Sequence, residues 1–167
     1  MKKILSMILA TAMLFSICIS ASAVEMEPYD DSQMVVVEGP VTRAADIPTE
    51  SHDLPYTATT EDLTEGVKTL TKYYFSPNGT SFTVSGTVEP AGNMNNKSRY
   101  AEIYLYEVGS NEVIDTHDIE QFVDETTFTH TFKNLSSNKN YYFALKNSTS
   151  YMFPWDNFWI SASFTIS

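Results

Sequence analysis

The sequence predicts an all-β protein, an antiparallel β-sandwich of about seven strands. Three observations carry this reading. First, short runs between residues 67 and 166 alternate apolar and hydroxylated side chains. In "TSFTVSGTVEP" (80–90), for example, Phe82, Val84, Gly86 and Val88 fall on one face and Thr and Ser on the other. Second, turn-forming clusters separate these runs at roughly 8–12-residue intervals. Third, no window repeats its apolar residues at helical spacing, and neither an internal repeat nor a βαβ unit is present.

The elements follow in chain order. "VKTLTKYYF" (67–75) is a β-rich run, and "SPNG" (76–79) turns it, with Pro77 fixing φ and Gly79 free to take a positive one. The alternating strand 80–90 comes next, then a polar loop (91–98) and "YAEIYLYEV" (100–108). "GSN" (109–111) turns into "EVIDTHDI" (112–119), and "TTFTHTF" (126–132) follows. "YYFALKN" (141–147) precedes the aromatic stretch "STSYMFPWDNFW" (148–159), which merges into a last strand over 157–166.

The first 65 residues differ in texture. Lys2 and Lys3, the apolar run 4–20 and "ASA" (21–23) form a secretory signal peptide over 1–23, with cleavage expected after Ala23. The chain is therefore expected to be secreted and extracellular. The only cysteine, Cys18, lies inside that signal, and Ile17 before it does not suit a lipoprotein signal. The mature chain would then be cysteine-free, with no disulfide, zinc–thiolate site or cysteine nucleophile, and would depend on its apolar core. The short "MKK" start and the missing cysteines resemble secreted proteins of Gram-positive bacteria.

Charge divides the chain. The net formal charge is −11; without Lys2 and Lys3, eight bases face 21 acids, a net of −13. Residues 24–65 hold eleven of the acids, Arg43 as their only base, and Pro28, Pro40, Pro48 and Pro55. This segment reads as an acidic, largely disordered tail, with the sandwich domain at 66–167. A second reading docks Val35–Val37 on the domain as an edge strand flanked by acidic gatekeepers. No basic stripe exists to neutralise phosphates, which excludes a nucleic-acid binder.

The stretch "TTFTHTFKNLSSNKNYYFAL" (126–145) resembles the corner between strands E and F of fibronectin type III and other immunoglobulin-like domains. The resemblance implies a core-plugging role for Leu135. It also implies that the Tyr141 hydroxyl bonds back to the corner backbone, a tyrosine corner. "TSFTVSG" resembles strand B of such domains, but Gly86 stands where they carry a core tryptophan, and Ser137 replaces the usual corner proline. An immunoglobulin-like order would make the strands at 100–108, 141–147 and 157–166 neighbours in one sheet.

Alternation assigns faces. Ile103 and Leu105 point inward, as do Tyr141, Phe143 and Leu145, and Phe158, Ile160, Ala162, Phe164 and Ile166. Tyr104, Tyr106, Tyr142 and Trp159 then point outward, with Tyr151 and Trp155 on the loop above them. These six residues form a candidate binding face, because contiguous exposed aromatics mark interaction sites. The expected partner is a protein or cell-envelope component. The alternative is polysaccharide, since tyrosine and tryptophan also stack on sugar rings. Cross-strand aromatic pairs that merely stiffen the sheet, or a cover supplied by the tail, would account for the same residues.

Catalysis finds no support in the sequence. His52, His117 and His130 lack metal-ligand spacing, and Asp115, Asp118, Glu120, Asp124 and Glu125 lack a calcium-loop pattern. There is no G-x-S-x-G and no Gly-rich phosphate loop. No enzyme, cofactor or metal is expected. Four Asn-x-Ser/Thr sequons, at Asn78, Asn96, Asn134 and Asn147, are potential glycan acceptors.

Overall fold

Tyr56 pairs with Ile166, and from that pair the rest of the molecule can be built. The computed structural model describes residues 33–37, 47–92, 97–110, 112–149 and 158–167. The signal segment 1–23, Tyr151 and Trp155 lie outside the described residues. Nine strands form among the described residues: β1 (Val35–Val37), β2 (Tyr56–Leu63), β3 (Lys68–Leu70), β4 (Phe82–Ala91), β5 (Arg99–Glu107), β6 (Val113–Phe122), β7 (Thr126–Phe132), β8 (Tyr141–Asn147) and β9 (Trp159–Ile166). No helix forms among the described residues, so none there is long and apolar enough to cross a membrane.

The strands make an all-β antiparallel sandwich. One sheet has the order β1-β3-β8-β5-β6 and the other β2-β9-β4-β7. The pairs β5–β6, β4–β7, β3–β8 and β2–β9 are nested. The chain is thus one long antiparallel ribbon, doubled back at the turn after β5 and rolled up, with β4–β9 and β5–β8 as the seams. Such winding into two four-stranded sheets is a jelly roll, here with β1 added at one edge.

Two sequence expectations are corrected. The last strand does not lie beside β8; β9 sits between β2 and β4 in the opposite sheet. Alternation shows which face of a strand is buried, but both sheets bury an identical kind of face, so the pattern carries no sheet assignment. The domain also begins earlier than residue 66. Residues 56–63, expected in the tail, are a full strand that buries Tyr56, Ala58, Thr60 and Leu63. Its period breaks at a bulge between Thr60 and Leu63, where Asp62 takes a positive φ of 48°, and the acids there hide the strand. Val35–Val37 pairs antiparallel with β3, the docked alternative.

The core fills the space between the sheets. Ile103, Leu105, Phe143 and Leu145 meet Phe82, Val84, Ile160, Phe164 and Ile166, all essentially sealed from solvent. Phe82, Phe132 and Phe143 form edge-on aromatic contacts, with centroids 5.4 and 5.7 Å from Phe143. Leu135 is buried in the same cluster. The Tyr141 hydroxyl accepts the Ser136 N–H at 3.0 Å, and lies 3.5 Å from the Ser136 carbonyl oxygen.

Candidate functional site

The outward face of the five-stranded sheet gathers the chemistry. Register puts Tyr106 beside Tyr142, Tyr104 between Ala144 and Thr116, and Glu102 between Lys146 and Asp118. Lys68 and Leu70 of β3 complete the face, opposite Lys146 and Ala144.

This face has two unlike halves. In one, Tyr106 and Tyr142 stack at 5.0 Å with planes 6° apart. They are only 4% and 0% exposed, packed with Leu70 and Ala144 beneath Ile47 and Tyr74. The covering segment is laced to Tyr74: the Tyr74 N–H donates to Glu50 O at 2.9 Å, and the His52 N–H donates to Tyr74 O at 3.1 Å. Ile47 of the acidic segment thus packs on this cluster together with Tyr74, Tyr104 and Val108, and both rings are removed from the surface. The Tyr142 hydroxyl is buried without a partner among the described residues, and burial pushes its pKa up to about 12. An orphaned buried hydroxyl is a net cost. Tyr142→Phe is accordingly expected to raise stability by about 1 kcal/mol. A urea midpoint unchanged or lowered would show that the hydroxyl is satisfied in solution.

The other half is open and polar. The Tyr104 hydroxyl donates to Glu102 Oε2 at 2.5 Å, and Lys146 Nζ donates to the same oxygen at 3.2 Å. The Ser148 hydroxyl donates to it as well. Burial pushes the Glu102 carboxyl up, but the bonds from Ser148, Tyr104 and Lys146 outweigh it and hold the group below the ordinary carboxylate range. The same burial and the bond to Glu102 push the Tyr104 hydroxyl upward. Lys68 Nζ lies 4.1 Å from the centre of the Tyr104 ring and donates to the Tyr106 hydroxyl at 2.6 Å. Burial first, then the nearby Lys146, lowers the Lys68 pKa, partly offset by Glu102.

Beyond Glu102 stands Tyr100, 42% exposed and on the same outward series of β5. A groove of about 300 Å3 runs there, lined by Tyr100, Glu102, Asp118, Glu120 and Ser148 among others. The connection between β8 and β9 leaves and rejoins the fold at this end. The Ser148 N–H donates to Tyr100 O at 2.9 Å, and the Tyr100 N–H donates to Thr149 Oγ1 at 3.0 Å. Asn147, fully buried, donates from Nδ2 to Leu63 O at 2.9 Å and Phe158 O at 2.5 Å, and accepts the Thr149 N–H at 3.1 Å. Arg99 is also fully buried; it donates from Nε to Trp159 O at 3.3 Å and from Nη1 to Lys97 O at 2.7 Å. Its guanidinium lies 4.7 Å from the Phe158 ring centre.

The six sequence candidates are thus divided. Tyr104 sits in the open half, and Tyr106 and Tyr142 lie under the cover. Trp159 is half-buried on β9, paired with Ala91 in the opposite sheet. Tyr151 and Trp155 belong to the segment outside the described residues. Tyr104, Tyr106 and Tyr142 form a contiguous row, with 6.2 Å between the first two rings and 5.0 Å between the last two, but Tyr106 and Tyr142 are buried and Trp159 lies in the opposite sheet. Sequence reasoning missed Glu102, Lys146 and Lys68 as a group. Their only signal was three charges on the outward series of predicted strands, which becomes meaningful once β3, β8 and β5 are known to be adjacent. Among the described residues, no three His, Cys, Asp or Glu side chains converge on a metal-sized site.

No protein-family model matches this chain, and no curated protein matches it. Similar solved structures include a family GH115 4-O-methyl-α-glucuronidase with specificity for decorated arabinogalactans, at 11% identity and a TM-score of 0.43. That similarity covers 66% of this chain, which spans only 14% of the glucuronidase chain. CBM4 is similar at 10% identity, 68% of each chain and a TM-score of 0.41. The carbohydrate-binding module CBM6cm-2 of Cellvibrio mixtus lichenase 5A, solved with cellotriose, is similar at 18% identity and a TM-score of 0.41, over 72% of this chain and 93% of that one.

Proposed function

We propose that this is a secreted, non-catalytic polysaccharide-binding module whose site is the open half of the five-stranded face. The observation that carries the reading is the pairing of two tyrosines with a fixed carboxylate between them on one strand. Tyr100 and Tyr104 share the outward series of β5, and Glu102 stands between them, held by Tyr104, Lys146 and Ser148. A sugar offers an apolar C–H face to an aromatic ring and hydroxyls to charged acceptors and donors. The two tyrosines stand about 13 Å apart along the strand, a spacing that contacts different units of a chain rather than one ring. Glu102 serves as an acceptor here. Its lowered pKa is opposite to what a glycosidic general acid requires.

The test is a titration with soluble neutral polysaccharides, followed calorimetrically and by intrinsic fluorescence. Tyr104→Ala and Tyr100→Ala are each expected to weaken binding roughly tenfold, about 1.4 kcal/mol. Tyr104→Phe, which keeps the ring, should retain most of the affinity. Absence of binding across a broad glycan panel would sink the proposal.

A further inference from the structure

A pair of histidines joins the two sheets at the side of the sandwich opposite β1, and neither takes part in the face described above. His117 belongs to β6, the edge of one sheet, and His130 to β7, the edge of the other. Their rings stack at 4.3 Å with planes 13° apart. In register, His117 stands opposite Ile103 and His130 opposite Val84, both fully buried. The two rings therefore close the core at its open side. Phe132 meets the His130 ring edge-on at 4.6 Å, and Phe128 lies 6.3 Å from His117. His130 Nε2 is buried with no hydrogen-bond partner among the described residues.

We propose that the His117–His130 pair is an acid-sensitive latch, which holds the β6–β7 edge shut while both rings are neutral and releases it when they are protonated. A neutral imidazole tolerates one unbonded ring nitrogen far better than a cation does. Protonation turns both nitrogens into donors, so His130 would carry a buried N–H with no acceptor. It would also place like charges face to face at stacking distance. The charged groups acting on His117 are Asp115 and Asp118 on its own strand and the His130 ring from β7. The residues opposite on β5 and β4, Ile103 and Val84, offer no counter-charge. Burial, followed by His130, outweighs the two aspartates and lowers the His117 pKa. The sign follows: a histidine with a depressed folded-state pKa favours folding above its unfolded value of about 6.5. That contribution is lost as pH falls through the lower folded value.

The experiment measures the urea midpoint between about pH 7.5 and about pH 5, above the ordinary carboxylate range, for the wild type, His117→Gln, His130→Gln and the double variant. The wild-type midpoint should fall across this interval, and the double variant should lose at least half of that fall. Hydrogen exchange on the wild type provides a second readout that needs no variant. On acidification, amides of β6 and β7 should lose protection before those of β2 and β9. An undiminished fall in a folded double variant would overturn the latch. So would uniform loss of protection, or imidazole NMR titration showing His117 at or above the ordinary value.

Discussion

Gly86→Ala should cost about 3 kcal/mol or more, a large effect for adding one methyl group, read as a drop in urea midpoint at constant slope. A Cβ built on Gly86 would lie 2.1 Å from the carbonyl oxygen of Ser163 and 2.5 Å from Cα of Phe164. Both are backbone atoms of β9, so no flexible side-chain end can move aside. Gly86 faces Phe128 on one side and Phe164 on the other. Their rings lie 6.4 Å apart, and Cβ of Phe164 would lie 2.6 Å from the added carbon. Ser85→Ala, at an exposed neighbour, should stay within about 0.5 kcal/mol and serves as the control. The result also tests the winding. If β9 ran beside β8, as an immunoglobulin-like order implies, Gly86 would not abut Ser163 and Phe164, and alanine would be tolerated.

Asn147→Ala should cost about 2–4 kcal/mol. The amide group makes three buried bonds, to the carbonyls of Leu63 and Phe158 and from the N–H of Thr149. Alanine would strand all three backbone groups away from water, and leaving buried groups unsatisfied dominates such substitutions. Asn147→Asp should be no milder at neutral pH, because a carboxylate cannot donate to two carbonyls. The loss should be local as well as global. The Thr149 and Phe158 resonances should shift and broaden in mild urea before those of β4. A loss below about 0.5 kcal/mol in Asn147→Ala would show that water replaces the amide. Full burial also removes the sequon at Asn147 from use in the folded protein.

How far the fold can be read from sequence differs by feature. The seven strands expected after residue 66 all form, as β3 to β9, because turn residues and a period of two are local signals. The inward series of β9 is equally local: Ile160, Ala162, Phe164 and Ile166 are buried, while Ser161, Ser163 and Thr165 are not. The partner of β9 is a long-range fact, and its only trace was a glycine standing in place of a large core residue. The two strands beyond the expected seven lie in the acidic segment. β1 is three residues long, and the bulge in β2 interrupts its alternation. At the candidate site, alternation gives the direction in which Tyr106 and Tyr142 point, but outward is not the same as exposed. The cover over them comes from residues around Ile47 and Tyr74, and no local pattern announces that contact.

The nested ribbon also sets the order in which the molecule can come into being. Tyr56 finds its partner in Ile166, 110 residues later, and β3 finds its partner in β8 across most of that span. Contacts this distant in sequence require large loops to close before they are rewarded, which puts such folds on the slow, millisecond-to-second side of folding. The half of the chain ending at β5 holds only the short β1–β3 pair of its own, because β2, β4 and β5 each wait for a strand from the second half. A chain emerging from a ribosome, or threaded through a pore, would therefore lack the β2–β9–β4 part of its second sheet until β9 is out. It would then close from the hairpin turn outward, with the Tyr56–Ile166 pair among the last to form.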